Sequence, residues 1–108
     1  MANEILSTGK RLLTVNKGGV GSQITDCDTF FPTANGEVIM GEVSSYSGTQ
    51  HLPSDLSGYG ILETSRLVDG QILIQKITAS NFTIYVRTRS YGNGDWNAWT
   101  AWKSITLT

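Results

Sequence analysis

A mainly β fold, a small antiparallel meander or sandwich-like knob behind an N-terminal arm, is predicted by three features of the sequence. Residue types alternate with period two from Phe82 to Tyr91, as along a strand whose two faces meet different surroundings. Turn signals recur at Asn35-Gly36, Asp69-Gly70 and Gly92-Asn93-Gly94-Asp95, between short runs rich in Ile, Val, Thr and Tyr. No stretch before Asp95 shows the 3.6-residue apolar period of an amphipathic helix.

The first 25 residues carry the weakest pattern. Ile5-Leu6 and Leu12-Leu13 with Val15 are short apolar groups, and Lys17-Gly18-Gly19-Val20-Gly21-Ser22 follows. That glycine cluster lacks the Gly-Lys-Ser/Thr ending of a phosphate-binding loop and has no strand–loop–helix around it, so a connector is expected. Residues 1–25 are read as an arm or linker, available to intersubunit contacts, and 26–108 as the folded domain. Asp26-Cys27-Asp28 is read as turn-capping, because Thr29-Phe30-Phe31-Pro32 supplies no further oxygen ligands for a metal. Strands are expected over 37–43, 61–68, 71–78 and 82–91, with a loop from Ser44 to Gly60 carrying His51 and Pro53.

In the third strand apolar residues mark both faces, Ile72 and Ile74 on one, Leu73 and Ile77 on the other. In the fourth, Phe82, Ile84 and Val86 are assigned to the core, which sends Tyr85, Arg87 and Arg89 outward. Asn-Gly tolerates the positive φ angles of a tight hairpin, so the chain doubles back at Gly92 to Asp95. It returns through Trp96, Trp99 and Trp102. Their spacing of three could also line one helical face, but the turn and Thr100, Thr106 and Thr108 favour an irregular extended strand.

Composition narrows the function. The net charge of −1 argues against nucleic acid, which demands a basic patch. Only 16% of residues are charged, a balance suited to a hydroxylated β surface, as in many extracellular and virion proteins. A single cysteine, Cys27, permits no internal disulfide and no thiolate metal cage, and is expected as a small buried hydrophobe. The opening Met1 to Ser7 lacks a basic start before an apolar run, and no window is long and apolar enough to span a bilayer. The expectation is a protein made in a cytoplasm and released by lysis, with no membrane insertion and no cofactor.

Catalysis has little to rest on. His51 is the only histidine, no Gly-x-Ser-x-Gly elbow surrounds any serine, and Glu63 with Asp69 or Glu37 with Glu42 form no recognisable acid pair. No enzyme is expected. Binding is favoured instead: Trp and Tyr faces stack on sugars, and Arg offers a fork of donors to carboxylates. The candidate ligand residues are Tyr85, Arg87, Arg89, Tyr91, Trp96, Trp99 and Trp102. The same residues have a structural use, since aromatics fill small cores and guanidinium groups stack on indoles.

Tyr59-Gly60-Ile61-Leu62-Glu63, Gln75-Lys76-Ile77, Ile84-Tyr85-Val86-Arg87-Thr88-Arg89, Trp96-Asn97-Ala98-Trp99 and Trp102-Lys103 follow one another in order, after Asp28 and Leu52-Pro53. This succession resembles the pyocin-knob type of domain found in bacteriophage tail fibres and in the fibres of phage-tail-like bacteriocins. It covers residues 26–106; Trp102 directly before Lys103 and the opening Asp26 to Pro32 depart from the pattern. The resemblance implies a β-rich knob, commonly a homotrimer, on a virion fibre that contacts host cell-surface glycan and other fibre proteins. It carries over no ligand site. A purely structural module that folds and trimerises the fibre is the alternative reading, and a small hydrolase of surface glycan the third.

Overall fold

The structure, a computed structural model, describes residues 14–17 and 23–106. The Ile5-Leu6 and Leu12-Leu13 pairs and the glycines at 18, 19 and 21 lie outside them. Among the described residues there are seven strands: β1 (Thr14–Lys17), β2 (Glu37–Ser44), β3 (Tyr59–Arg66), β4 (Ile72–Ala79), β5 (Thr83–Gly92), β6 (Asp95–Trp96) and β7 (Lys103–Thr106). β2 to β5 form the antiparallel meander that the turn signals predict. β1, from the segment read as an arm, pairs in parallel with β2, and β6 and β7 both pair with β5.

Local chemistry sets the turns. Asn93 and Gly94 have φ of 54° and 82°, the left-handed pair of a type I′ hairpin, whose twist matches that of the flanking strands. Gly60 on β3 is required for packing: a Cβ there would come within 2.8 Å of Ile77 Cγ2. A short 3-10 turn, Cys27–Thr29, is capped by Asp26, whose carboxylate accepts the Asp28 N–H at 2.9 Å. That is the capping role expected of Asp26.

The core lies between one face of the sheet and three non-strand segments, 23–31, 45–58 and 97–102. Val43, Leu62, Ile77, Ala79 and Tyr85 come from the sheet; Ile24, Cys27, Phe30, Leu52, Leu56 and Trp102 cover them. Threonine hydroxyls and main chain tie the cover down: Thr49 Oγ1 donates to Ile24 O at 2.8 Å, and Ile24 N–H to Glu42 O at 2.8 Å.

The assignment of β5's faces is reversed. The alternation is real, but Thr83, Tyr85 and Arg87 point into the core, with Tyr85 2% and Arg87 6% exposed. Phe82 lies outside the strand and is 73% exposed, with φ of 66°. Ile84 and Val86 are half-buried on the opposite face. The reason is tertiary. Cross-strand rows place Tyr85 beside Ile77 and Arg87 beside Gln75, on the face that the 23–31 and 45–58 segments cover, and the 23–31 segment brings the Asp28 carboxylate to Arg87 and the Cys27 and Phe30 carbonyls to Gln75.

Candidate functional site

The three tryptophans and three arginines interleave. In order across the sheet's covered face, Arg66 lies 5.3 Å from Trp96, and Arg89 5.7 Å from both Trp96 and Trp99. Arg87 lies 4.5 Å from Trp99 and 4.3 Å from Trp102, each distance from guanidinium carbon to ring centroid. All are within the range of cation–π attraction, worth about 0.5–2 kcal/mol per pair as solvent is excluded.

The spacing in the sequence follows from this geometry. Successive residues on one face of β5 are two apart, which sets Arg87 and Arg89. The returning chain runs one residue longer at each step, four against three and then three against two: Trp96 pairs with Tyr91, Thr100 N–H donates to Thr88 O at 2.9 Å, and Lys103 pairs with Val86. The extra residue per step pushes 97–102 out of the ladder and turns each indole over the guanidinium row. The irregular extended return expected from the sequence is therefore what the stack requires.

Arg87 is the inner end of the stack and is fully engaged. Its Nε donates to Gln75 Oε1 at 2.7 Å and its Nη2 to Asp28 Oδ1 at 2.8 Å. Gln75 in turn points its amide nitrogen at Cys27 O, 2.7 Å away. The indoles are anchored too, Trp99 Nε1 donating to Asp28 O and Trp102 Nε1 to His51 O. Tyr85 and Arg87, two of the seven ligand candidates, thus serve the interior.

Asp26, Asp28 and His51 converge within 4.8 Å, a grouping that sequence reading treated as two unrelated features. His51 Nδ1 is 2.7 Å from Asp26 Oδ1 and 3.3 Å from Asp28 Oδ2. The hydrogen bond to Asp26, then the charge of Asp28, raises the His51 pKa above its ordinary value. Burial pulls Asp26 upward, yet its hydrogen bonds from His51 and the Asp28 N–H hold it below the usual carboxylate range. With His51 protonated, two cations (His51 and Arg87) balance two carboxylates, so the cluster needs no metal for neutrality. A divalent ion would also sit beside the Arg87 guanidinium. These side chains could hold a cation chemically, but the cluster is already paired. Burial is the main cause that pushes the Cys27 thiol up to about 12, which makes it inert.

The outer end of the stack differs. Arg89 donates its Nε to Asn97 O at 2.6 Å, and Arg66 its Nη1 to Pro32 O at 3.2 Å. Among the described residues neither forms an ion pair, and Arg66 Nε is buried without a hydrogen-bond partner. Between them stands half-buried Trp96, with Tyr91 edge-on at 5.3 Å and Phe31 at 6.2 Å. Tyr91 is 41% exposed. Of the sequence candidates, Arg89, Tyr91 and Trp96 meet at this corner, while Trp99 and Trp102 lie deeper along the stack. Arg66 was missed: it carries no local motif, and only the row Arg66–Leu73–Arg89 across β3, β4 and β5 reveals it. Comparison with protein-family models, curated proteins and solved structures finds no match to this chain.

Proposed function

We propose that the chain is a knob-like module of a virion fibre that attaches to a host cell surface by binding a carboxylated saccharide at the Arg66/Arg89/Trp96/Tyr91 corner. One observation carries the site: two guanidinium groups without carboxylate partners flank a half-exposed indole and an exposed tyrosine. Unpaired arginine offers bidentate donors to a carboxylate, and the aromatic rings offer apolar faces and edges to a pyranose. The order of motifs along 26–106, with its resemblance to fibre knobs, supports the setting. The inner half of the stack belongs to the alternative, structural reading, since Tyr85, Arg87, Trp99 and Trp102 hold the return chain to the sheet.

The test is a glycan array bearing neutral, uronic-acid and sialic-acid oligosaccharides, probed with wild type, Arg89→Gln and Tyr91→Ala. Gln keeps a donor for Asn97 O while removing the charge. The wild type is expected to prefer carboxylated glycans, more weakly at high salt, and each variant to lose about tenfold or more with an unchanged circular dichroism spectrum. Equal binding by Arg89→Gln, or a wild type indifferent to carboxylates, rejects the site.

A further inference from the structure

A backbone nitrogen that attacks the side-chain carbonyl of the preceding asparagine or aspartate closes a five-membered succinimide, and a following glycine leaves that nitrogen uncrowded. The chain has three such pairs, Asn35-Gly36, Asp69-Gly70 and Asn93-Gly94. In a folded protein the reaction also needs a free nitrogen and a backbone that can turn locally. Two of the pairs lack both. Gly36 is buried, and its N–H donates to Arg66 O at 2.9 Å and Leu67 O at 3.3 Å. The Asn35 carboxamide is wedged against Gly70, its Cγ 2.7 Å from where a Cβ would stand. Gly70 N–H donates to Leu67 O at 2.8 Å, and Asp69 Oδ1 accepts the Gln71 N–H at 3.0 Å.

Asn93-Gly94 is held by nothing of the kind. Both residues are exposed at the tip of the last hairpin. Among the described residues no group accepts the Gly94 N–H and none holds the Asn93 carboxamide. No atom lies within 4 Å of a Cβ built on Gly94. To react, Asn93 must leave its left-handed conformation, φ of 54°, and swing its carboxamide over the Gly94 nitrogen. β6 is only two residues long, so that motion opens at most the Tyr91–Trp96 and Gly92–Asp95 rungs. A short, solvated ladder end of this kind opens at little cost.

We propose that Asn93 is a site of spontaneous deamidation, and that its isoaspartyl product takes apart the Tyr91–Trp96 end of the hairpin. Hydroxide removes the Gly94 N–H proton, and the nitrogen bonds to Asn93 Cγ. The Cγ–Nδ2 bond breaks, and ammonia leaves with a proton from water, which restores the hydroxide. A second water then opens the ring. Cleavage at Cγ gives aspartate, and cleavage at the backbone carbonyl gives isoaspartate; in sum, carboxamide and water become carboxylic acid and ammonia. Either product adds one carboxylate to a chain of net charge −1. Isoaspartate also inserts a methylene into the backbone of a two-residue turn whose twist is matched to its strands. The added length breaks the Tyr91–Trp96 pairing, and Trp96 leaves its place between Arg66 and Arg89. None of this rests on the saccharide reading.

The test is to age the native protein in mildly alkaline buffer, then digest it with trypsin and weigh the peptides. Cleavage after Lys17, Arg66, Arg89 and Lys103 puts the two Asn-Gly pairs on separate peptides, 18–66 and 90–103. Peptide 90–103 is expected to gain about 1 Da at Asn93 and to split into aspartyl and isoaspartyl forms. Asn93 should react at least about tenfold faster than Asn35 in the native protein, and within about twofold of it in urea, where the fold no longer protects Asn35. Equal native rates at the two sites, or a native Asn93 as slow as Asn35, overturn the proposal. The consequence is read on the isoaspartyl fraction, separated by ion exchange, against Asn93→Asp, which carries the charge without the extra methylene. The near-ultraviolet circular dichroism of the aromatic corner is expected to weaken in the isoaspartyl fraction and to persist in Asn93→Asp. An isoaspartyl fraction with the wild-type spectrum overturns the structural half, and an Asn93→Asp spectrum weakened as much assigns the effect to charge and overturns it too.

Discussion

At the scale of single residues, His51 makes the molecule's stability depend on pH. It is held in the left-handed region, φ of 61°, with its carbonyl receiving the Trp102 indole N–H and its ring on Asp26 and Asp28. A histidine whose pKa is raised by folding contributes stability that is complete below its unfolded value, ordinarily 6.5, and is lost as pH rises through the raised folded value. Asp26, held below its ordinary 3.8, contributes stability complete above that value and lost as pH falls through the lowered one. The cluster is therefore strongest in mildly acidic solution, with Asp26 ionised and His51 protonated. His51→Asn keeps a residue that tolerates positive φ and removes the charge. Its melting temperature is expected to fall furthest below wild type near about pH 5.5, and the gap to narrow toward about pH 9. A gap independent of pH would show that the imidazole acts only through neutral hydrogen bonding.

At the scale of elements, the β4–β5 connection departs from the residue type its geometry favours. Phe82 adopts φ of 66° at the end of a turn closed by its own N–H to Ala79 O at 3.2 Å, with Thr83 N–H on Asn81 Oδ1. A bulky residue in this region is strained, and glycine is the usual occupant. At 73% exposure the ring has little burial to offset the strain. Phe82→Gly is expected to stabilise the protein by about 0.5–1 kcal/mol in urea unfolding, despite glycine's larger unfolded-state entropy. Lower stability would mean that the ring's own contacts outweigh its backbone strain. The β5 hairpin works the other way, because its Asn93-Gly94 turn and its period-three tryptophans both fit the geometry they adopt. The stack rests on a return that spends one residue more than β5 at each step, and one residue deleted between Trp96 and Trp102 would take the later indoles off their arginines.

At the scale of the whole molecule, a sheet of this size is held by the layer laid over one face, and Cys27 lies where that layer meets the sheet. It is fully buried, and with a pKa pushed to about 12 only about one thiol in 10⁴ would be ionised at pH 8. Alkylation is therefore expected to require unfolding, with a labelling rate that rises in step with the unfolded fraction across a urea titration. Rapid labelling in native buffer would mean that the 23–31 segment lifts off on its own. The sequence by itself determined much of the meander. Its turns were written in Asn-Gly and Asp-Gly pairs and its strands in alternating residue types, both local consequences of backbone sterics. It also determined that arginines and tryptophans would be neighbours, since one hairpin carries Arg87, Arg89 and all three indoles. Which face of β5 is inside was decided only by tertiary structure. Period two fixes that Tyr85 and Arg87 share a face, but an arginine becomes an interior residue only when Asp28, distant in sequence, arrives to balance its charge. The meeting of Asp26 and Asp28 with His51 was equally hidden, because the bridge between Asp26 and Gln50 joins segments with no common local pattern. Arg66 reached Trp96 through register across three strands, and register belongs to the assembled sheet rather than to any stretch of chain.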